Sequence, residues 1–298
     1  MTSLFDKRWV DLPRGVSELD PAVLAPGFRA GATHCGLKDG GETDVAVLVC
    51  DAPEVTSSVL LTRNAAAAAP IKVCRENLDA GSVRAIAVNS GNANAATGEQ
   101  GYRDAIEMQS ATAEALGLDE REVVVAETGV IGVPLEIELV TDGIRKAAAS
   151  LSRKRATGFT QAIMTTDRAP KNLSVTAGGV TVSAQAKGAG MIEPGFATML
   201  CFVQTDAQIA DPEAELRRAV DRSFERITVD GQMSTNDTVV LQATGETETP
   251  MPAGLLDRVL LALALEVVAD GEGAERIGRI EVTHARDADE AERVARAI

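Results

Sequence analysis

Lys187-Gly-Ala-Gly-Met-Ile-Glu-Pro-Gly-Phe-Ala-Thr-Met-Leu200 decides how the rest of the chain is read. Gly188, Gly190, Pro194 and Gly195 exclude a helix interior or central strand, since Gly costs backbone entropy there and Pro removes a donor. The stretch is therefore a shaped loop. It runs into Ala197-Thr-Met-Leu-Cys-Phe-Val-Gln204, an almost continuously apolar segment that reads as a strand buried on both faces. Thr198 then stands at the mouth of a buried strand, with Lys187 at the far end of the loop.

Outward from this stretch, strands and helices mix throughout. Upstream, Leu173–Val175 and Val180–Ser183, split by Ala177-Gly-Gly179, form a hairpin that delivers the chain to Lys187. Asp44–Asp51 is a strand, paired in a hairpin spanning Cys35 to Asp51 around Gly40-Gly41, and residues 1–30 are irregular. Arg63–Pro70 has the composition of a short helix stopped by proline, with a strand starting at Ile71 to Arg75. Val83–Asn89 and Glu122–Gly132 are strands, and Glu99–Leu116 is an amphipathic helix ended by Gly117. Leu135–Leu151 is helical, whereas Phe159–Asp167 is helix or strand. Asp211-Pro212 caps and opens a helix, Gly254–Val268 is another, Ile277–Thr283 reads as a strand, and Asp287–Ile298 as a final helix. This order predicts a layered α/β architecture with mixed rather than purely parallel sheets.

Composition narrows the function. The chain has 298 residues and a formal net charge of −15, which repels nucleic acid and anionic membrane surfaces. A small anionic substrate then needs a local cationic anchor. No segment approaches the length of a membrane span and no signal peptide opens the sequence, so the expected location is the cytoplasm. Cys35, Cys50, Cys74 and Cys201 lack paired spacing and read as reduced thiols. His34 and His284 are too few and too far apart for a histidine metal site.

Polar loops carry the remaining signal: Asn89–Gly98, Thr128-Gly129, Thr165-Thr-Asp167 and Val229–Asp237. A Thr-Gly pair ending a strand offers a hydroxyl and a backbone N–H in fixed places, as a developing oxyanion requires. No His–Asp pair, G-x-S-x-G or Walker loop is present. A Thr nucleophile without His has one well-known solution. Cleavage of the Ala197–Thr198 bond frees an α-amine, with a pKa of about 8, as general base for its own hydroxyl.

These residues resemble the bifunctional ornithine acetyltransferase family of arginine biosynthesis. Its precursors cleave themselves before the Thr of K-G-S-G-M-I-x-P-N-M-A-T-M-L, which reads K-G-A-G-M-I-E-P-G-F-A-T-M-L in this chain. The resemblance continues through N-S-G-N-A-N-A-A-T-G-E-Q-G from Asn89, T-G-V-I-G from Thr128, T-T-D-R-A-P-K from Thr165, S-F-E-R-I-T-V-D-G from Ser223 and S-T-N-D-T from Ser234. It implies the mixed-sheet fold of that family and transfer of acetyl from N-acetylornithine to glutamate through an acyl-enzyme on Thr198. It implies no separate cofactor. It implies Thr128 and Gly129 as the oxyanion hole, and Thr166, Lys187, Thr198 and Glu272 as substrate contacts. Lys187 would hold a carboxylate and Glu272 the amino group of ornithine. The chain would divide into an α-chain region, 1–197, and a β-chain region, 198–298, which assemble into a higher oligomer.

Departures from the pattern define rival readings. Gly195-Phe196 replaces Asn-Met before the cleavage site, and Glu127 places a carboxylate beside the oxyanion pair, opposing the anion if it faces inward. Arg168 stands where Thr is usual, Glu225, Gln232 and Met233 alter familiar loops, and Thr62-Arg-Asn–Pro70 keeps only part of an early motif. Family members continue beyond the helix resembling Ala288–Ile298, which points to a shortened molecule, a second polypeptide or divergence from catalysis. The alternatives are a paralogue acting on another N-acyl amino acid, an amidase or aminopeptidase of the same nucleophile type, and an unprocessed non-catalytic relative.

Overall fold

The computed structural model describes residues 10–11, 13–193 and 199–298. Ala197 and Thr198, the proposed cleavage site and nucleophile, lie outside the described residues, as does Gly195-Phe196.

Two mixed sheets form the frame. The first contains β1 (Val16–Glu18), β7 (Lys171–Ala177), β8 (Val180–Lys187), β9 (Leu200–Thr205), β10 (Thr238–Ala243) and β4 (Thr56–Leu61), in that spatial order. The second contains β2 (Phe28–Thr33), β3 (Val45–Cys50), β5 (Ala85–Asn92) and β6 (Val123–Val130). Helices α1 (Ala69–Asn77), α2 (Gly98–Leu116), α3 (Ile137–Ala148), α4 (Ala156–Ile163), α5 (Pro212–Asp221), α6 (Leu255–Ala269) and α7 (Ala288–Arg296) complete the chain. β9 pairs antiparallel with β8 and β10 runs parallel to β9, while β5 runs parallel to β6. The expected mixed α/β class is therefore observed.

The apolar run after the loop behaves as its composition requires. Alternate side chains of a strand point to opposite faces. Met199, Cys201 and Val203 join the core beneath α5 and α6, and Leu200 and Phe202 join the core around the second sheet. Phe202 meets Phe159 of α4 edge to face, at 5.6 Å between ring centroids and 83° between planes. α4 packs on strands of both sheets and so fixes their separation. Each fully buried large side chain in this layer contributes roughly 1.5–3 kcal/mol.

Several local expectations hold for the predicted reasons. Gly178 and Gly179 adopt φ of 58° and 89° in the β7–β8 turn, the positive values a two-residue hairpin turn demands. Gly117 ends α2 at φ 68°, and the Asp211 carboxylate accepts from Ala214 N at 3.0 Å to cap α5.

Other expectations are corrected. Pro70 opens α1 instead of stopping a helix, because a first-turn position lacks an intrahelical partner for its N–H anyway; Ile71–Arg75 is helical, not a strand. Residues before 30 are not all irregular: β1 and the start of β2 lie there, and β2, not a strand from Cys35, is the hairpin partner of β3. Cys35–Lys38 instead wrap the buried Asp44 carboxylate, which accepts four backbone N–H groups at 2.6–3.1 Å. Ile277–Thr283 forms no strand; Ile280 is 51% exposed, and no neighbouring strand supplies a ladder among the described residues.

Candidate active site

The second sheet supplies one wall of the site. At its β5–β6 rim, Gly129 lies opposite Gly91 with φ of 135°, and a Cβ on Gly129 would meet Gly91 C at 2.3 Å. Gly91 in turn leaves no room for a Cβ, which would stand 2.9 Å from Leu37 O in the loop held by Asp44. Thus the backbone at Thr128-Gly129 is fixed by close approach of three main-chain segments. Both glycines are required by geometry rather than by looseness.

The first sheet supplies the opposite wall. Lys187, the last residue of β8, is 3% exposed and donates from Nζ to Thr128 Oγ1 at 2.6 Å. Burial holds its pKa below the ordinary lysine value, opposed only in part by the acids around it, Asp167 first. The lone Lys and the Thr-Gly turn, singled out separately in the sequence, are thus in direct contact although far apart along the chain. Glu127 points the other way, as its neighbour on a strand must. Its Oε1 accepts from Asn94 Nδ2 at 2.9 Å, and burial pushes its pKa up to about 8, opposed by that hydrogen bond and aided by Asp104. The carboxylate of Glu127 therefore does not face the Thr128–Lys187 contact.

A second pair forms the exposed rim. Thr166 Oγ1 donates to Glu272 Oε1, and Glu272 N donates to Ala189 O at 2.7 Å. Gly190 faces the Glu272 carboxylate so closely that a Cβ would meet its Cδ at 2.6 Å. The loop after Lys187 therefore joins the buried Thr128–Lys187 pair to the exposed Thr166–Glu272 pair. A carboxylate and a hydroxyl at the surface can take an amine, and a buried hydroxyl beside an ammonium can take developing negative charge.

Residues without an assigned role in the sequence reading hold this arrangement. Asp167 Oδ1 accepts from Lys171 Nζ at 2.6 Å and from Gly188 N at 2.8 Å. Burial pushes its pKa up, but Lys171, Lys187 and the Gly188 N–H outweigh that and hold it below the ordinary value. Asp270 completes the bond set of Lys171 at 2.6 Å and accepts from Arg168 Nε at 2.8 Å, which accounts for an Arg after T-T-D. Asp230 accepts from Met191 N and Ile192 N at 2.6 and 2.9 Å. Asp237, fully buried, accepts from Met199 N at 3.0 Å; its pKa is pushed well up by burial, against the pull of that N–H and of Lys187. For three of the four acids the signal was present: Asp167, Asp230 and Asp237 sit in the two polar loops Thr165–Asp167 and Val229–Asp237, whereas Asp270 follows the end of α6. Spacing alone did not say which backbone each would hold.

The early motif also finds its place. Thr62 Oγ1 and Asn64 Nδ2 donate to Ser234 O at 2.9 and 3.1 Å, and Asn236 Nδ2 donates to Ala93 O at 3.1 Å. All of the polar loops named from sequence thus meet at one end of the two sheets. Gln232 and Met233 take part through backbone atoms, Gln232 N donating to Asp230 and Met233 O accepting from Asn64, so their side chains are not what the loop geometry uses. Among the described residues no helix is long and apolar enough to cross a membrane.

Known proteins are similar to this chain over most of its length. The chain is 45% identical over 289 residues to the arginine biosynthesis bifunctional protein ArgJ of Geobacter sulfurreducens, covering 91% of this chain and 73% of that protein. It is 43% identical to the ArgJ of Thermus thermophilus, over 93% of this chain and 74% of that one. Among solved structures it is similar to Bacillus halodurans ArgJ, with a TM-score of 0.54 and 37% identity over 62% of this chain and 97% of that one. It is similar also to the ornithine acetyltransferase of Mycobacterium tuberculosis complexed with ornithine, with a TM-score of 0.56 and 32% identity over 60% of this chain and 98% of that one. The sequence model of the ArgJ family matches residues 29–298, and the chain belongs to that family of acyltransferases of arginine biosynthesis.

Proposed function

We propose that the chain is a glutamate N-acetyltransferase that moves acetyl from N-acetylornithine to glutamate through an acyl-enzyme on Thr198. The observation that carries this reading is the 2.6 Å contact between Lys187 Nζ and Thr128 Oγ1, which joins the two halves of the site across the sheets. Cleavage of the Ala197–Thr198 bond supplies the α-amine. The Thr198 hydroxyl adds to the acetyl carbonyl, its proton passing to that amine, and the tetrahedral oxyanion is met by the Thr128 hydroxyl and Gly129 N–H. The C–N bond then breaks and ornithine leaves with the proton. Glutamate's amine attacks the acetyl ester by the same steps in reverse. Thr166, Lys187 and Glu272 contact the substrate, with Glu272 receiving the ornithine side-chain ammonium.

Cleavage would give fragments 1–197 and 198–298 that stay together. β9 and β10 belong to the second fragment, and they sit between β8 and β4 of the first in a single sheet. The fragments would be parts of one core and not separable domains, a base for further assembly.

Intact-mass analysis tests the reading. The purified protein is expected as two fragments split before Thr198, with an added acetyl group on the 198–298 fragment after brief incubation with N-acetylornithine. Thr198→Ala is expected to remain whole. A wild-type chain that stays whole yet transfers acetyl to glutamate would refute the proposed base. Release of acetate without any dependence on glutamate would make the protein a hydrolase instead.

A further inference from the structure

Lys187 has two candidate duties, and its geometry bears on only one of them. A cation meant to catch a substrate carboxylate is best left where the substrate can reach it, as Thr166 and Glu272 are left at the exposed rim. Lys187 is 3% exposed and donates to a neutral hydroxyl, Thr128 Oγ1, at 2.6 Å. Asp167, the acid that raises its pKa most, accepts from Lys171 Nζ and Gly188 N. Burial works against the ammonium and the neighbouring acids oppose burial only in part, while one of its N–H groups is given to Thr128.

That bond fixes what the hydroxyl does. An ammonium has donors only, so Thr128 Oγ1 is the acceptor, and the hydroxyl's own hydrogen is left to donate to a third group. Accepting a charged donor also polarises the O–H and strengthens it as a donor, the more so in a dry site. We propose that Lys187 is the positioning residue of the oxyanion hole: it sets the Thr128 hydroxyl as a donor toward the acyl oxygen and strengthens it there. The inference rests on the reading of Thr128 and Gly129 as the oxyanion pair given above.

An ester without a carboxylate separates this duty from substrate anchoring. p-Nitrophenyl acetate presents an acyl oxygen and nothing for a carboxylate anchor to hold, and its acylation step is read as p-nitrophenolate release. Rates are expressed per molecule of cleaved enzyme, counted by intact mass. Thr128→Ala is expected to lower the acylation rate by ~10²-fold, the usual effect of losing one oxyanion donor. Lys187→Met is expected to lower it by at least ~10-fold at little changed KM for the ester, and the double variant is expected to be no slower than Thr128→Ala alone. Lys187→Arg, which keeps charge and donors, is expected to recover part of the rate. Lys187→Gln serves where the Met variant fails to mature; a Gln rate equal to wild type overturns the proposal. So does a wild-type ester rate in Lys187→Met together with a raised KM for N-acetylornithine, because Lys187 is then an anchor alone. Losses that multiply in the double variant overturn it as well, since the two residues then act independently. An undiminished ester rate in Thr128→Ala instead removes the oxyanion assignment, and with it this inference.

Discussion

The β7–β8 hairpin buries two lysines at the same end, and they live in opposite electrostatic conditions. Lys171 pairs with Asp167 and Asp270, each at 2.6 Å, whereas Lys187 donates to the Thr128 hydroxyl. Register places Lys171 beside Ala186, one residue from Lys187, so the two ammonium groups share one acidic neighbourhood. Lys171 closes that neighbourhood by satisfying its acids. Lys187 spends its charge on a group that has none. A buried ion with complete partners fixes structure, and one aimed at a neutral hydroxyl has its charge available for chemistry.

Removing the paired lysine should do the most damage to folding. Lys171→Met leaves Asp167 without its ammonium and Asp270 with only Arg168, and breaking a buried pair from one side costs roughly 3–5 kcal/mol. The melting temperature is expected to drop by about 10 °C in a calorimetric scan. Lys187→Met should cost less than about 2 kcal/mol, because it removes one charge-assisted hydrogen bond and relieves the burial of a charge. Equal losses in the two variants would erase the distinction between them.

This contrast was only half legible in the sequence. Lys187 stood out because it opens a Gly-rich loop into an apolar strand, and Thr128-Gly129 because a hydroxyl and a glycine end a strand. Lys171 is hidden: in T-T-D-R-A-P-K it looks like one more surface cation, and its partner Asp270 arrives from a helix end far along the chain. The fold followed the same rule. Strands buried on both faces and helices with capping signals, such as β9, α2 and α5, were readable from local pattern. The α1 region was not, because Pro70 stops or starts a helix depending on what lies beyond it. Ile277–Thr283 carried strand-forming residues, but a strand exists only where another edge receives it, and that is a tertiary fact.

The rim pair gives a smaller effect that sharpens the contrast between buried and exposed groups. Gly190→Ala drives a methyl group into the Glu272 carboxylate, which can swing away because it is the end of a flexible, exposed side chain. Stability should change by less than about 1 kcal/mol. Glu272 would, however, lose its place beside Thr166, and the KM for N-acetylornithine is expected to rise about tenfold, equivalent to 1.4 kcal/mol of binding, while p-nitrophenyl acetate turnover is unchanged. A parallel loss on both substrates would mean that the loop carries Lys187 with it and that rim and floor are not independent.

Glu127 extends the comparison to a buried acid on which no cation acts among the described residues, and its effect is the gentlest. Its carboxyl faces Asn94, with Asp104 raising its pKa further and the Cys74 thiol on the same side. Burial raises its folded pKa to about 8 from an ordinary 4.5. Below the lower value both folded and unfolded chains hold the proton, so Glu127 adds no pH dependence. Between the two values the folded chain keeps a proton that the unfolded chain has released, and stability falls as pH rises, by at most about 1.4 kcal/mol per unit. Above the folded pKa neither state holds the proton and the slope ends. Asp237, also raised by burial, contributes with the same sign. Glu127→Gln keeps an acceptor for Asn94 and cannot ionise, so urea unfolding between pH 5 and 8 should show a shallower decline than wild type. Identical slopes in the two proteins would mean that Glu127 is charged in the folded state, and a cation would then have to be found for it on the far side of β6 from Lys187.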